Sequence, residues 1–188
     1  DVALALEHGD AGLADRALMR ARALDASPLA ESVAAGEEML RLSPFARGAR
    51  ARFGRYALAA AQVDAALTSV KALSRASVRG LKLGAHIPDE VPGAVRDLAE
   101  TVRTLDRYFE HPEEEPPVSR QAVRAAARAT LVLEVTSNLP VSVIVGQVRA
   151  AAVDLLSSWG LERERAEEIV RDAAATMAAE ERAGPSHA

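Results

Sequence analysis

The sequence predicts an all-α protein, an antiparallel helical bundle of about six to seven helices with one long central helix. Apolar residues make up 49% of the 188 residues and aromatic residues only 3%. Alanine therefore supplies much of the apolar content, and alanine is the strongest helix former. Apolar residues recur at steps of three and four along most of the chain, as they do on one face of a helix.

Turn and capping residues divide the chain into predicted helices. Gly9 ends an initial helical segment and Asp10 caps the next helix. Ser-Pro pairs at 27–28 and 43–44 begin two more, because proline is tolerated in the first turn of a helix. After the initial segment, the predicted helices cover residues 10–24, 27–42, 44–83, 91–109, 119–136, 139–160 and 161–179.

Two predicted helices have especially regular apolar faces, with spacing typical of antiparallel bundles. On the long helix these positions are Phe53, Tyr56, Ala60, Val63, Leu67 and Val70. On the helix that follows they are Val91, Val95, Leu98, Val102, Leu105 and Phe109.

The most hydrophobic run, Leu139–Gly160, is about as long as a membrane-spanning helix. Gln147, Arg149 and Asp154 interrupt it, and an Arg or Asp near the middle of a bilayer costs roughly 2.5–3.5 kcal/mol. We therefore predict a buried bundle helix. Its apolar face comprises Val141, Val145, Val148, Ala152, Leu155 and Trp159. The preceding block, Leu131–Ser137, is rich in β-branched residues, so a strand is the alternative to a helix there.

We predict a single helical domain over residues 1–182 and a disordered tail at 183–188. The acidic, Pro-rich segment at 111–117 is a predicted linker, at which the domain could be subdivided. The chain begins inside an apolar-periodic segment and without methionine. We interpret it as a fragment of a longer protein.

No pattern in the sequence predicts catalysis. The chain contains no cysteine, which excludes disulfides and Cys-based zinc sites. Its four histidines lack metal-ligand spacing, and no P-loop, GxGxxG, HExxH or GxSxG motif is present. We expect no catalytic residues, no metal site and no cofactor, and we expect that the protein is not an enzyme.

Basic residues concentrate on the long helix. Residues 44–84 carry eight Arg or Lys residues against one acid, although the whole chain has a net charge of −4. Four of them form one stripe: Lys71, Arg75, Arg79 and Lys82. The structural interpretation is that acidic neighbours, such as Glu31, Glu37, Glu38 or the helix at 162–172, neutralise this stripe within the fold. The functional interpretation is a docking surface for anionic lipid head groups or an acidic partner segment. Nucleic acid is not an expected partner, because the chain is acidic and lacks interleaved aromatic residues.

Polar residues on the apolar helix form a second candidate site. Gln147 and Asp154 are seven residues apart and share one flank, while Arg149 lies on the other. The structural interpretation is partial burial with local hydrogen bonds. The functional interpretation is a contact with another domain.

The segment VSVIVGQVRAAAVDLLSSWGLERERAEEIV resembles the end of the cytoplasmic region in bacterial membrane proteins of the fusaric acid resistance and aromatic acid exporter family. The pattern Q-V-R-x-A-x-V-D-L-L, followed by W-G-L, carries this resemblance. Three earlier segments agree with it in the same order: ALEHGDAGLADRALMRARALD, LSPFARGARARFGRY and LTSVKALSRA.

The resemblance implies a parent protein with several N-terminal transmembrane helices and this domain on the cytoplasmic side of the inner membrane. The expected partners are the parent's own transmembrane domain, further copies of the chain and an anionic lipid surface. The expected roles are assembly, regulation or membrane-proximal docking. One alternative is a soluble interaction module, because HGDAGLADRALMRARALDASP resembles half of a tetratricopeptide unit. Another is a helical regulator or enzyme that binds a small molecule, for which a pocket with converging charged groups would be required.

Overall fold

A computed structural model of the chain describes residues 1–42, 47–110, 120–158 and 160–183. This part of the chain consists of helices and the turns between them, which confirms the all-α prediction. Eight helices are present in it: α1 (Val2–His8), α2 (Ala11–Ala23), α3 (Ser27–Leu42), α4 (Arg47–Lys82), α5 (Glu90–Glu110), α6 (Arg120–Val135), α7 (Leu139–Ser158) and α8 (Arg163–Ala183). The initial segment before Gly9 is the short helix α1. The predicted linker at 111–117 and residues 184–188 of the predicted tail lie outside the described residues.

The turn between α1 and α2 follows from the chemistry of two adjacent residues. Gly9 has a φ of 63°, a left-handed conformation that glycine adopts at little cost, and its N–H donates to the carbonyl groups at the end of α1. Asp10 then caps α2 by accepting a hydrogen bond from the backbone N–H of Leu13 at 2.8 Å. The pKa of Asp10 is lowered, chiefly by this hydrogen bond.

Helix α7 lies at the centre of the bundle and contacts α4, α5, α6 and α8. Within the described residues it is the one helix long and apolar enough to cross a bilayer. In the structure, α7 is the core helix that the sequence predicts. Five residues of its predicted face are buried, namely Val141, Val145, Val148, Ala152 and Leu155, whereas Trp159 lies outside the described residues. The block Leu131–Ser137 continues α6 as far as Val135, so the strand alternative is wrong.

Helix α4 has 36 residues and its two halves have different surroundings. The second half runs antiparallel to α7, since Ser69 hydrogen-bonds Asp154 and Gly80 lies beside Pro140. Among the side chains of α4 that the structure describes, none before Val63 belongs to the main core cluster. The first half packs instead against α3, which contacts no other helix in the described part of the chain. Tyr56, on the predicted inward face, is exposed for this reason.

Helix α5 follows its predicted heptad only as far as the core extends. Val91, Val95 and Leu98 are buried against α6 and α7. Val102, predicted to face inward, is 47% exposed. That prediction is wrong because the helix leaves the core at this point and borders an open groove. The side chains of Leu105 and Phe109 lie outside the described residues.

Candidate functional site

Helix α2 and the turn after it bring an acidic residue to each end of the basic stripe. The ammonium Nζ of Lys82 is 2.6 Å from a carboxylate oxygen of Asp15. At the other end, the pKa of Asp25 is lowered, first by hydrogen bonds from Ser27 and to a smaller extent by the positive charge of Lys71. The acids nearest the stripe are therefore Asp15 on α2 and Asp25 in the turn after it. Within the described residues they are not Glu31, Glu37 or Glu38, and the helix at 162–172 does not contact α4.

Two arginines in the middle of the stripe remain available to a partner. Arg75 and Arg79 are exposed on successive turns of α4. Neither forms an ion pair with any residue in the ranges that the structure describes. These two arginines are therefore the residues of the stripe best placed to meet an anionic partner.

Asp154 on α7 forms hydrogen bonds to two other helices of the bundle. It is 5% exposed, and one carboxylate oxygen accepts a hydrogen bond from the hydroxyl of Ser69 on α4 at 2.8 Å. The other accepts one from the guanidinium of Arg163, the first residue of α8, at 2.9 Å. This bond is the main reason that the pKa of Arg163 is raised. One carboxylate thereby connects α4, α7 and α8.

The two other residues of the predicted inter-domain site remain at the surface. Gln147 and Arg149 are half-buried on α7. Arg149 borders a recess of about 210 Å³ together with Arg163 and Glu167. The structure does not bring Asp154 to a common surface with them, because its carboxylate points into the bundle.

A second buried carboxylate, Asp97 on α5, is missed by the sequence analysis. Arg124 on α6 donates to its two oxygens through Nη2 at 2.5 Å and Nε at 3.1 Å, and Arg128 lies 3.6 Å away. The pKa of Arg124 is raised, chiefly by its hydrogen bonds to Asp97. Two features of the sequence could have predicted this ion pair. Asp97 lies between Val95 and Leu98 in an apolar heptad, and another helix has two arginines four residues apart.

Beside this pair lies a groove of about 740 Å³, with walls from α1, α2, α4, α5, α6 and α7. Its floor is aliphatic and includes Val70, Leu73, Val95, Leu98 and Leu155. Four arginines from three helices border it: Arg20, Arg96, Arg103 and Arg124. Each forms an ion pair, with Asp1, Glu7, Glu100 and Asp97 respectively.

Three of these four arginines can exchange their carboxylate partners for another anion. In their ion pairs, both side chains are more than two-fifths exposed. Exposed ion pairs contribute only about 0–1 kcal/mol each. An incoming anion could therefore replace an exposed carboxylate at small cost. Asp97, in contrast, is held by two arginines and is nearly buried. In the described ranges, no group of three or more His, Asp or Glu residues could hold a metal ion.

An uncharacterized protein of Corynebacterium glutamicum is similar to this chain, with 28% identity over 174 residues. The similarity covers 88% of the chain but 45% of that protein, so the chain spans less than half the length of this relative. No protein-family profile matches the chain. No solved structure matches it either.

Proposed function

We propose that this chain is a non-catalytic domain of a multi-spanning membrane transporter of the fusaric acid resistance and aromatic acid exporter type. The domain lies on the cytoplasmic side of the bacterial inner membrane and serves assembly, regulation or membrane-proximal docking. The observation that carries this proposal is the order of four matching segments, at residues 5–25, 42–56, 67–76 and 141–170. Their residues are distributed over α1, α2, α4, α7 and α8.

The length of the relative supports the proposal. More than half of that protein lies outside the region similar to this chain. A region of that size has room for several membrane-spanning helices of about 20 residues each. The remainder of the native protein would then contain the transport pathway.

The packing favours a bundle domain over the alternative, a tetratricopeptide-like module. In repeat arrays each helix pair contacts its neighbours along the chain. Here α4 packs on α7, and α6 packs on α8. These long-range contacts enclose a shared core and do not form a stack of repeats.

The native gene upstream of the codon for Asp1 provides the test. We expect it to encode several apolar segments of 18 or more residues with few charges. An upstream region without such segments would contradict the transporter assignment. It would leave a helical scaffold whose partners must be found directly.

Substitution of Arg75 and Arg79 provides a separate test of membrane docking. Each basic residue near an anionic surface contributes about 1 kcal/mol, so we expect the double Arg→Gln variant to bind phosphatidylserine vesicles roughly 30-fold more weakly. The control variant removes Arg165 and Arg171, two exposed charges on α8. Equal binding by the two double variants would rule out docking through the stripe.

The groove supports a second candidate function, the binding of a small amphipathic anion that regulates the domain. Its aliphatic floor suits an apolar body, and its arginines suit a carboxylate or sulfonate. Anilinonaphthalene sulfonate is a suitable fluorescent probe. We expect Val102→Glu, which places a negative charge at the groove, to weaken binding of the probe about tenfold or more.

Val143→Glu is the matched control for the groove. Val143 is 45% exposed, close to the 47% of Val102, but it lies on α7 away from the groove. We expect the probe to bind this variant as it binds the unaltered chain. If both variants bind equally well, the probe does not occupy the groove.

A further inference from the structure

Helix α3 has two uncharged stripes, and only one of them has a partner in the structure. The stripe that packs on α4 contains the half-buried residues Leu29, Val33, Gly36 and Leu40. The other stripe is exposed at every position: Pro28, Ser32, Ala35, Met39 and Leu42. We call it the outer stripe. Its steps of four, three, four and three match the seam by which helices pair in coiled coils.

The outer stripe exposes two large apolar side chains. Met39 is 74% exposed and Leu42 is 72% exposed. The charged residues of α3 all lie off the stripe, namely Glu31, Glu37, Glu38 and Arg41. No residue of α3 is buried, so the helix lacks the packing that normally supplies most helical stability.

We propose that the outer stripe is a self-association surface, which pairs antiparallel with the outer stripe of a second copy of this chain. If the two helices cross at Ala35, Leu42 of one copy lies opposite Pro28 of the other. Met39 lies at the level of Glu31, and Ser32 is the nearest residue of the outer stripe. Large side chains then meet small ones, the condition for close interdigitation. The same patch serves both copies, as a two-fold dimer requires.

Charge complementarity favours a second copy as the occupant. Helix α3 has three acids and one arginine. One of the acids, Glu38, is already paired with that arginine, Arg41. The contact of Gly36 with Phe53 brings the adjacent turn of α4 alongside α3. That turn includes Arg52, which is exposed and has no ion pair within the described ranges. A second copy thus supplies both an acidic helix and a positive charge for it.

The small size of the surface is consistent with a weak dimer. Helix α3 has 16 residues and is therefore about 24 Å long, and α3 with the adjoining turns of α4 is about 20 Å wide. Two copies would bury roughly 1,000 Å² in total, the lower limit of specific interfaces. We expect a dissociation constant on the order of 10 µM.

This inference deepens the assembly role in the proposed function, but it depends only on α3 and α4. Failure of self-association would leave the transporter assignment untouched, because that assignment is tested by the upstream gene. Conversely, the chain would still dimerise if the upstream region encoded no membrane spans.

Sedimentation velocity from about 1 to 200 µM, a range that brackets this constant, tests the dimer. Met39→Glu should raise the dissociation constant about tenfold or more, because it places a charge in an apolar seam. Met19→Glu is the matched control, since Met19 is a 64% exposed methionine on α2. Circular dichroism checks that both variants keep their helical content. A chain that remains monomeric at the highest concentration, or equal effects of the two variants, would overturn the proposal.

A pair of cysteine variants tests the antiparallel crossing point. The chain has no native cysteine, so a single introduced thiol can form a disulfide only between copies. Ala35→Cys should cross-link rapidly on mild oxidation, because the crossing point brings the two thiols together. Ala34→Cys, exposed on the neighbouring flank, should cross-link slowly. Equal rates for the two variants would contradict the crossing at Ala35.

Discussion

Two buried carboxylates, Asp97 and Asp154, connect the helices of the bundle through specific partners. Each accepts hydrogen bonds from an arginine whose own side chain is largely exposed. Burying a carboxylate is costly unless it is paired and hydrogen-bonded. The arginines therefore stabilise the fold mainly by preventing an unpaired charge in the core, rather than through the strength of an isolated ion pair.

Arg163→Ala should lower the free energy of unfolding by about 2 kcal/mol, because it leaves the charge of Asp154 with only the Ser69 hydroxyl as a partner. Arg165→Ala is the control two residues later, where the ion pair with Glu168 is exposed. We expect that change to cost about 0.5 kcal/mol or less. Urea denaturation measures both, and equal losses would show that Asp154 does not depend on Arg163.

Asp10 makes the stability of the α1–α2 turn dependent on pH. Its folded-state pKa is lowered, so its cap stabilises the fold when pH is above the ordinary value of 3.8 and is lost as pH falls through the lower folded value. Asp10→Ala should therefore have a lower Tm than the unaltered chain at pH 7. The difference should shrink as the pH falls below 3.8. A difference that is constant with pH would exclude the charged cap as its cause.

At the scale of elements, two glycines have different surroundings. Gly80 lies on the half of α4 that packs against α7, and Gly36 lies on α3 where it contacts α4. At Gly80 an added Cβ would lie 3.5 Å from Ile144 and 3.6 Å from Pro140, in ordinary contact. At Gly36 the same atom would overlap the ring of Phe53. The first position has room for a methyl group within a helix, whereas at the second the ring of Phe53 must move.

Gly80→Ala should stabilise the chain by about 0.5–1 kcal/mol, because alanine loses less backbone entropy in a helix. Gly36→Ala should destabilise it by about 1 kcal/mol net, because displacement of Phe53 outweighs that gain. Urea denaturation gives both values, and hydrogen exchange should be faster in α3 of the second variant only. Stabilisation by both changes would mean that Phe53 does not hold α3 in place.

At the scale of the whole molecule, one core encloses α7, while α3 and the first half of α4 form an arm outside it. The core is built mainly from alanine, valine and leucine, so helices pack closely around α7. In the part of the chain that the structure describes, the groove beside α5, the outer stripe of α3 and the exposed arginines of the basic stripe are surfaces available for ligands or copies.

Much of this architecture could be predicted from periodicity and capping residues. Gly9, Asp10 and the apolar face of α7 each follow from local chemistry, and the structure confirms them. Periodicity alone does not show where the core ends. It therefore predicts that Val102 and Tyr56 face inward, although both side chains are exposed in the structure. It also could not identify the partners of Asp97, which lie 27 and 31 residues away along the chain.

The location of the full-length gene product tests the central claim most directly. With a tag at the C-terminus, the protein should sediment with inner membranes, and this domain should be cleaved by protease in inside-out vesicles but protected in right-side-out vesicles. Recovery of the full-length protein in the soluble fraction would contradict the account, as would cleavage only from the outer side.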